Sequence, residues 1–261
     1  MTFFLPVRKA EKSKFRRGWA GLNVEKKDVS YLRKGEGKDL VFLHGYLSSK
    51  EAFLPLAEYF SRFYRVTALD FCGFGASAPL PYAFSVADYA EWTKRAFRLL
   101  EIERPLCIAH SFGCRVAVKM QSQSEETVFE KLILTGPAGI RTKKPLSYYI
   151  KVKAYRAVKK IAPAFAEKHF GSAEYRTLPP VMKESYKKIV GEDLREDIKR
   201  VTCRTLVAEG TEDTVTTAAE AEEYASLLPF GRLIYIRGGH FAFATAATEF
   251  ALAAEEFFYH G

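Results

Sequence analysis

A chain of 261 residues with 48% apolar and 27% charged side chains has the material for one large α/β domain with an insertion, or for two small domains. No apolar run reaches the length of a membrane span, and Cys72, Cys107, Cys114 and Cys203 lack metal-ligand spacing. The net charge of +9 is uneven: residues 1–40 carry +6, residues 41–140 none, residues 141–204 +10 and residues 205–261 −7. A segment as basic as 141–204 reads as a separate structural unit, and with no recognition motif beside the charge, nucleic acid is not the expected partner.

Residues 1–18 are basic and unpatterned, the pattern of a surface-lying arm. Met1 to Val7 is too short for a signal-peptide core, and Arg8, Lys9, Glu11 and Lys12 follow it directly. With the cysteines read as reduced thiols, the expected setting is cytoplasmic and soluble. Leu22 to Glu25 and Val29 to Arg33 alternate like strands. Asp39 to His44 is a short apolar run, the mark of a strand buried on both faces of a largely parallel sheet, and it ends in His44-Gly45-Tyr46. Ala52 to Phe60 has helical spacing, and Arg65 to Asp70 is a further strand leading into the glycine-rich Phe71 to Ser77. Val86 to Leu100 is an amphipathic helix, Pro105 to Ala109 a strand, and Lys131 to Thr135 another.

From Arg141 to about Arg200 the rhythm breaks into helical spacing alone (Tyr149, Val152, Tyr155, Val158, then Val181, Met182, Tyr186, Ile189), which predicts an insertion of three or four helices. The strand rhythm resumes over Thr205 to Glu209, followed by a helix from Ala218 to Leu228, a strand from Arg232 to Arg237 and a final helix from about Phe241 to Tyr259. Strands alternating with helices in this way predict a doubly wound α/β sheet of about eight strands, with ligands at the carboxyl ends of the strands. His44, Asp70 and Ser111 all fall at such ends.

Ser111 stands between an apolar run and a helical pattern, flanked by the small residues Ala109 and Gly113. That is the pattern of a nucleophile elbow, in which a strained turn exposes the hydroxyl and the Phe112 amide opens the next helix, ready to hold a developing negative charge. An elbow serine needs a base and a carboxylate behind it. Gly210-Thr-Glu-Asp213 follows one late strand and Gly238-Gly-His240 the next, so Ser111, Asp213 and His240 come in the chain order of an α/β-hydrolase triad. Asp213 could instead cap the helix after Thr214, and Glu209 and Glu212 are the alternative acids. His44 is expected to support its own loop, and His110 to hydrogen-bond or pack within the site.

With His44-Gly45, Asp70-x-x-Gly73-x-Gly75-x-Ser77, Ala109-His110-Ser111-Phe112-Gly113, Gly210-x-x-Asp213 and Gly239-His240 in this order, residues 20–261 resemble the α/β-hydrolase superfamily, in the branch with a helical cap after the sixth strand. The resemblance implies a core of residues 19–140 and 201–261 around a cap of residues 141–200. It implies a second oxyanion donor in the backbone N–H of Tyr46, beside that of Phe112, and a structural role for the turn from Asp70 to Ser77. Ala109, where the motif has glycine, adds one methyl group. A serine at 111 sets the chain apart from dehalogenase and epoxide hydrolase relatives, which attack with an aspartate.

The expected activity is hydrolysis of a small to medium carboxylic ester through an acyl-enzyme, with no metal or organic cofactor. Two other readings stay open: a carbon–carbon bond hydrolase of the same capped fold, and a slow-turnover ligand receptor. The cap's cations, Lys143, Lys144, Lys151, Lys153, Arg156, Lys159 and Lys160, lie among Tyr148, Tyr149, Tyr155 and Phe165. They fit a solvated face, a surface that approaches anionic lipid, or inward charges that steer an anionic small-molecule substrate. The oligomeric state is not legible.

Overall fold

The computed structural model describes residues 24–142, 175 and 177–260. The basic arm and the cap cations and aromatics from Lys143 to Phe165 lie outside the described residues.

Among the described residues seven strands form one sheet: β1 (Tyr31–Lys34), β2 (Asp39–Leu43), β3 (Arg65–Leu69), β4 (Leu106–His110), β5 (Lys131–Thr135), β6 (Arg204–Gly210) and β7 (Gly231–Ile236), in the order β1-β3-β2-β4-β5-β6-β7. Only β1 is antiparallel, pairing Tyr31 with Leu69 of β3. The strand expected over Leu22 to Glu25 is not part of this sheet in its described half. There, Glu25 N–H donates to Asp28 Oδ2 at 2.9 Å and opens a short 3-10 turn, Lys26–Asp28.

Strands β2 and β4 are buried along their whole length, with apolar Leu40 to Leu43 and Leu106 to Ala109 covered on both faces, as the sequence predicts for parallel strands. On one face Leu40, Phe42, Leu106 and Ile108 pack with Phe53, Phe60 and Phe250. These belong to α1 (Leu54–Phe60) and its leading turn, and to the C-terminal helix. On the other face Val41, Leu43, Cys107 and Ala109 pack with α2 (Val86–Leu99) and α3 (Phe112–Ser122). Each fully buried Leu, Ile or Phe contributes about 1.5–3 kcal/mol, so these two layers hold the sheet rigid beneath the site.

In the segment predicted to be a cap, the described helices are α4 (Pro180–Gly191) and the short α5 (Arg195–Ile198). Met182, Ser185 and Ile189 form the buried face of α4, as the helical spacing requires. Ser185 Oγ donates to Phe84 O at 2.8 Å and Lys188 Nζ to Ala83 O at 2.6 Å, tying α4 to the approach of α2. Beyond β6 come α6 (Ala218–Leu227), α7 (Ala242–Thr245) and α8 (Ala247–His260). The single final helix of the sequence reading is divided at Ala246, whose φ of −117° and ψ of 46° leave the helical region.

From β2 the chain steps to β3 on one side, then returns to place β4 on the other side of β2. Neighbouring connections leaving in opposite directions open a crevice at the carboxyl ends of β2 and β4. His44-Gly45-Tyr46 and Ser111 follow directly from those two ends.

Candidate active site

At the end of β4 the backbone turns sharply. Ser111 has φ 49° and ψ −106°, a conformation that costs a non-glycine residue about 1–3 kcal/mol and persists only where its surroundings impose it. The surroundings are visible: Ser111 N–H donates to Thr135 O of β5 at 3.0 Å, and Cys114 N–H returns to Ser111 O at 3.1 Å. Two residues on, Gly113 lies so close to β2 that a Cβ there would come within 2.2 Å of Leu43 O. The small residue after the serine is therefore required by strand–helix contact.

The loop after β2 meets this elbow. A Cβ on Gly45 would lie 2.8 Å from His110 Nδ1 and 3.5 Å from Ser111 Cβ. His44 sets the direction of the loop. Its Nε2 accepts from Phe71 N–H at 3.1 Å, so the ring proton sits on Nδ1 and is donated to Gly45 O at 2.7 Å. Burial pushes the His44 pKa down from 6.5 to about 4, so the ring is neutral. The C=O and N–H of a trans peptide point in opposite directions, so anchoring Gly45 O turns Tyr46 N–H away from His44. The Tyr46 and Phe112 rings meet edge-on at 5.5 Å, and Phe112 also packs edge-on against Phe71 and Tyr89. Phe112 is the first residue of α3, where amide hydrogens have no partner within the helix.

Asp213 and His240 come from the loops after β6 and β7. His240 Nδ1 and Asp213 Oδ2 are 2.7 Å apart, with the Asp213 side chain fully buried. Asp213 Oδ1 accepts from Val215 N–H at 2.7 Å and Thr216 N–H at 3.1 Å, and Thr216 Oγ1 donates to Oδ2 at 2.9 Å. Burial alone would raise the Asp213 pKa, but the hydrogen bonds from His240, Val215 and Thr216 hold the carboxyl below the usual range. Asp213 is not a helix cap: Thr217 fills that position for α6, accepting from Glu220 N–H. Gly238, at φ 123°, gives the turn that presents His240.

His110 locks the other side of His240, donating from Nε2 to His240 O at 2.9 Å, with ring centroids 4.7 Å apart. Burial, and after it the neighbouring His240, push the His110 pKa from 6.5 to about 3, so it too is neutral. The Thr135–Gly136 link lies between serine and histidine: Thr135 O holds Ser111 N–H, and a Cβ on Gly136 would be 3.0 Å from His240 Nδ1. Among the described residues the His240 ring is hydrogen-bonded to Asp213, with Thr216 Oγ1 at 3.5 Å, and not to Ser111. Catalytic hydrogen bonds commonly tighten only when substrate binds.

The turn from Asp70 to Ser77 is structural, with Asp70 accepting from Lys50 N–H, Lys50 Nζ, Ser30 Oγ and Ala76 N–H at 2.7–3.0 Å. Helix α4 packs against Tyr46, with the Tyr186 ring 5.0 Å from the Tyr46 ring and Tyr46 Oη donating to Met182 O at 3.0 Å. Of the alternative acids, Glu212 is exposed, while Glu209 is buried behind Asp213. The sequence gives no warning of Thr216, whose hydroxyl joins Asp213 to Glu209 through a fold back of the chain after β6.

A family model described as the alpha/beta hydrolase family matches residues 40–254. Among curated proteins, the (E)-2-((N-methylformamido)methylene)succinate hydrolase of Acinetobacter baylyi is 30% identical over 106 residues, 41% of this chain and 40% of that protein. The chain thus spans well under half the length of that relative. Among solved structures, an esterase from Exiguobacterium antarcticum superposes with a TM-score of 0.70 at 20% identity, covering 88% of this chain and 94% of the esterase. A meta-cleavage product hydrolase from Pseudomonas fluorescens gives a TM-score of 0.67 at 23% identity, covering 89% and 95%. At these identities the structural likeness establishes the fold.

Proposed function

The chain belongs to the alpha/beta hydrolase family, and on that premise we propose that it is a serine hydrolase that cleaves a small to medium carboxylic ester through an acyl-enzyme. The observation that carries the reading is the strained Ser111 at φ 49°, set in the crevice between β2 and β4 beside the 2.7 Å pair of Asp213 and His240.

In this mechanism Asp213 accepts Nδ1–H of His240, which leaves Nε2 free to take the Ser111 proton as Oγ attacks the carbonyl carbon. The amides of Tyr46 and Phe112 donate to the oxygen that becomes negative. Such preset donors are worth about 10²–10³ in rate apiece. His240 then protonates the leaving alcohol, and a water activated by the same ring releases the acid. Neutral His44 and His110 add no positive charge beside His240 and so do not oppose its protonation.

The substrate class follows from weaker support. The net charge of +10 over residues 141–204 and the succinate derivative in the name of the Acinetobacter relative both favour a substrate that bears a carboxylate. The proposal keeps residues 141–200 as a cap to a core of residues 19–140 and 201–261, in a cytoplasmic protein with no cofactor. The carbon–carbon reading has its own support in the meta-cleavage product hydrolase, whose fold is shared. Steady-state and burst kinetics on nitrophenyl esters from acetate to long chains, with and without a terminal carboxylate, test the proposal. An ester burst equal to the enzyme concentration is expected. Turnover of a vinylogous diketone without any ester burst would favour carbon–carbon cleavage instead.

A further inference from the structure

Behind Asp213 lies a second carboxyl that the mechanism does not use. Glu209, on β6, is fully buried; its Oε2 has no hydrogen-bond donor, and its Oε1 is 3.3 Å from Thr216 Oγ1. Thr216 Oγ1 is also 2.9 Å from Asp213 Oδ2. One hydroxyl proton cannot serve two carboxylates. If both acids were ionised, two like charges would share a buried site with one of them short of a donor, an arrangement that low-dielectric surroundings make costly.

We infer that Glu209 is held as a neutral carboxylic acid that donates to Thr216 Oγ1, which in turn donates to Asp213 Oδ2, so that Glu209 is a positioning residue for the acid that orients His240. The inference rests on the reading of Asp213 as that orienting acid. The proton count then closes: Glu209 O–H, Thr216 O–H and His240 Nδ1–H each have one acceptor, and Asp213 stays ionised. Burial first, and then the neighbouring Asp213, push the Glu209 pKa up to about 8. The other titratable groups facing the cluster are Glu220 at the start of α6, Tyr235 on β7, Cys114 on α3 and His110 beyond His240. None of them is a cation that would favour ionised Glu209.

The test pairs infrared spectroscopy with the rate at which a fluorophosphonate labels Ser111, across pH, in the wild type, Glu209→Gln, Glu209→Leu and Thr216→Val. Glu209→Gln keeps a neutral donor and should stay within about threefold of the wild-type rate, whereas Glu209→Leu and Thr216→Val should each lose about tenfold, the scale of one lost hydrogen bond. Because both act through one relay, the double variant should be no worse than either single one. Thr216→Val removes a donor from Asp213 outright and concentrates its charge toward His240, so the acid limb of the rate should move to higher pH in that variant. A carboxylic-acid C=O stretch present at neutral pH in the wild type should vanish in Glu209→Gln, a readout that stands even where Glu209→Leu fails to fold. Absence of that stretch, or a Glu209→Gln variant as slow as Glu209→Leu, would overturn the inference while leaving Ser111 labelling intact. A wild-type Ser111 that takes no label would sink the triad reading itself, and the positioning role with it.

Discussion

In the proposed mechanism Asp213 is the residue on which the rest of the acid–base system turns. Four hydrogen bonds converge on its carboxylate, and one of them fixes the His240 tautomer. Asp213→Asn replaces an acceptor by a donor and favours the wrong tautomer, so kcat on an activated ester should fall about 10⁴-fold with the melting temperature little changed. Glu212→Gln, at an exposed neighbour, should leave kcat alone. The buried groups also set the pH dependence of stability. His44 and His110 have folded pKa values of about 4 and about 3 against 6.5 when unfolded, so their contribution is whole above 6.5 and is lost as pH falls. Glu209, raised from 4.5 to about 8, contributes stability below 4.5 that is lost as pH rises toward 8. Between 4.5 and 6.5 two histidines outweigh one carboxyl, and above 6.5 the carboxyl acts alone. Urea unfolding should therefore show maximal stability near pH 6.5, with the decline from there to pH 8 absent in Glu209→Gln.

At the scale of elements, the site depends on how closely helix α3 is pressed onto β2. Gly113→Ala would drive a methyl group into Leu43 O, backbone that cannot move aside, and should cost about 1–3 kcal/mol or more in urea unfolding together with Ser111 labelling. Ser111, Asp213 and His240 were legible because elbow, strand ends and glycine turns leave marks in the local sequence. The strands β2 and β4 were legible for the same reason, being apolar on both faces. Other features were not. Glu25 reads as the end of a strand by alternation, yet its backbone amide is taken by Asp28 and the chain curls into a 3-10 turn. The final helix reads as continuous because Ala246 is a good helix former, and only tertiary packing divides it. Thr216 and Glu209 matter through side-chain contacts across a loop, which no periodicity encodes.

For the molecule as a whole, the position of the site follows from strand order. The reversal between β2 and β4 brings residues 44–46 and Ser111 together, although 65 positions separate His110 from Gly45. The later strands β6 and β7 then deliver Asp213 and His240 to the same end of the sheet. The candidate residues and their order can be read along the chain, but this juxtaposition cannot, because register and strand order depend on long-range pairing. Helix α4 is joined through Met182, Ser185 and Lys188 to Tyr46, Phe84 and Ala83. The central claim is that these separate segments make Ser111 an activated nucleophile. Intact-mass spectrometry after exposure to a fluorophosphonate, with peptide mapping, tests it most directly. The account predicts one adduct per chain, located on Ser111, absent in Ser111→Ala and slow to form in Asp213→Asn. An unlabelled wild type, or an adduct that persists undiminished in Ser111→Ala, would contradict it.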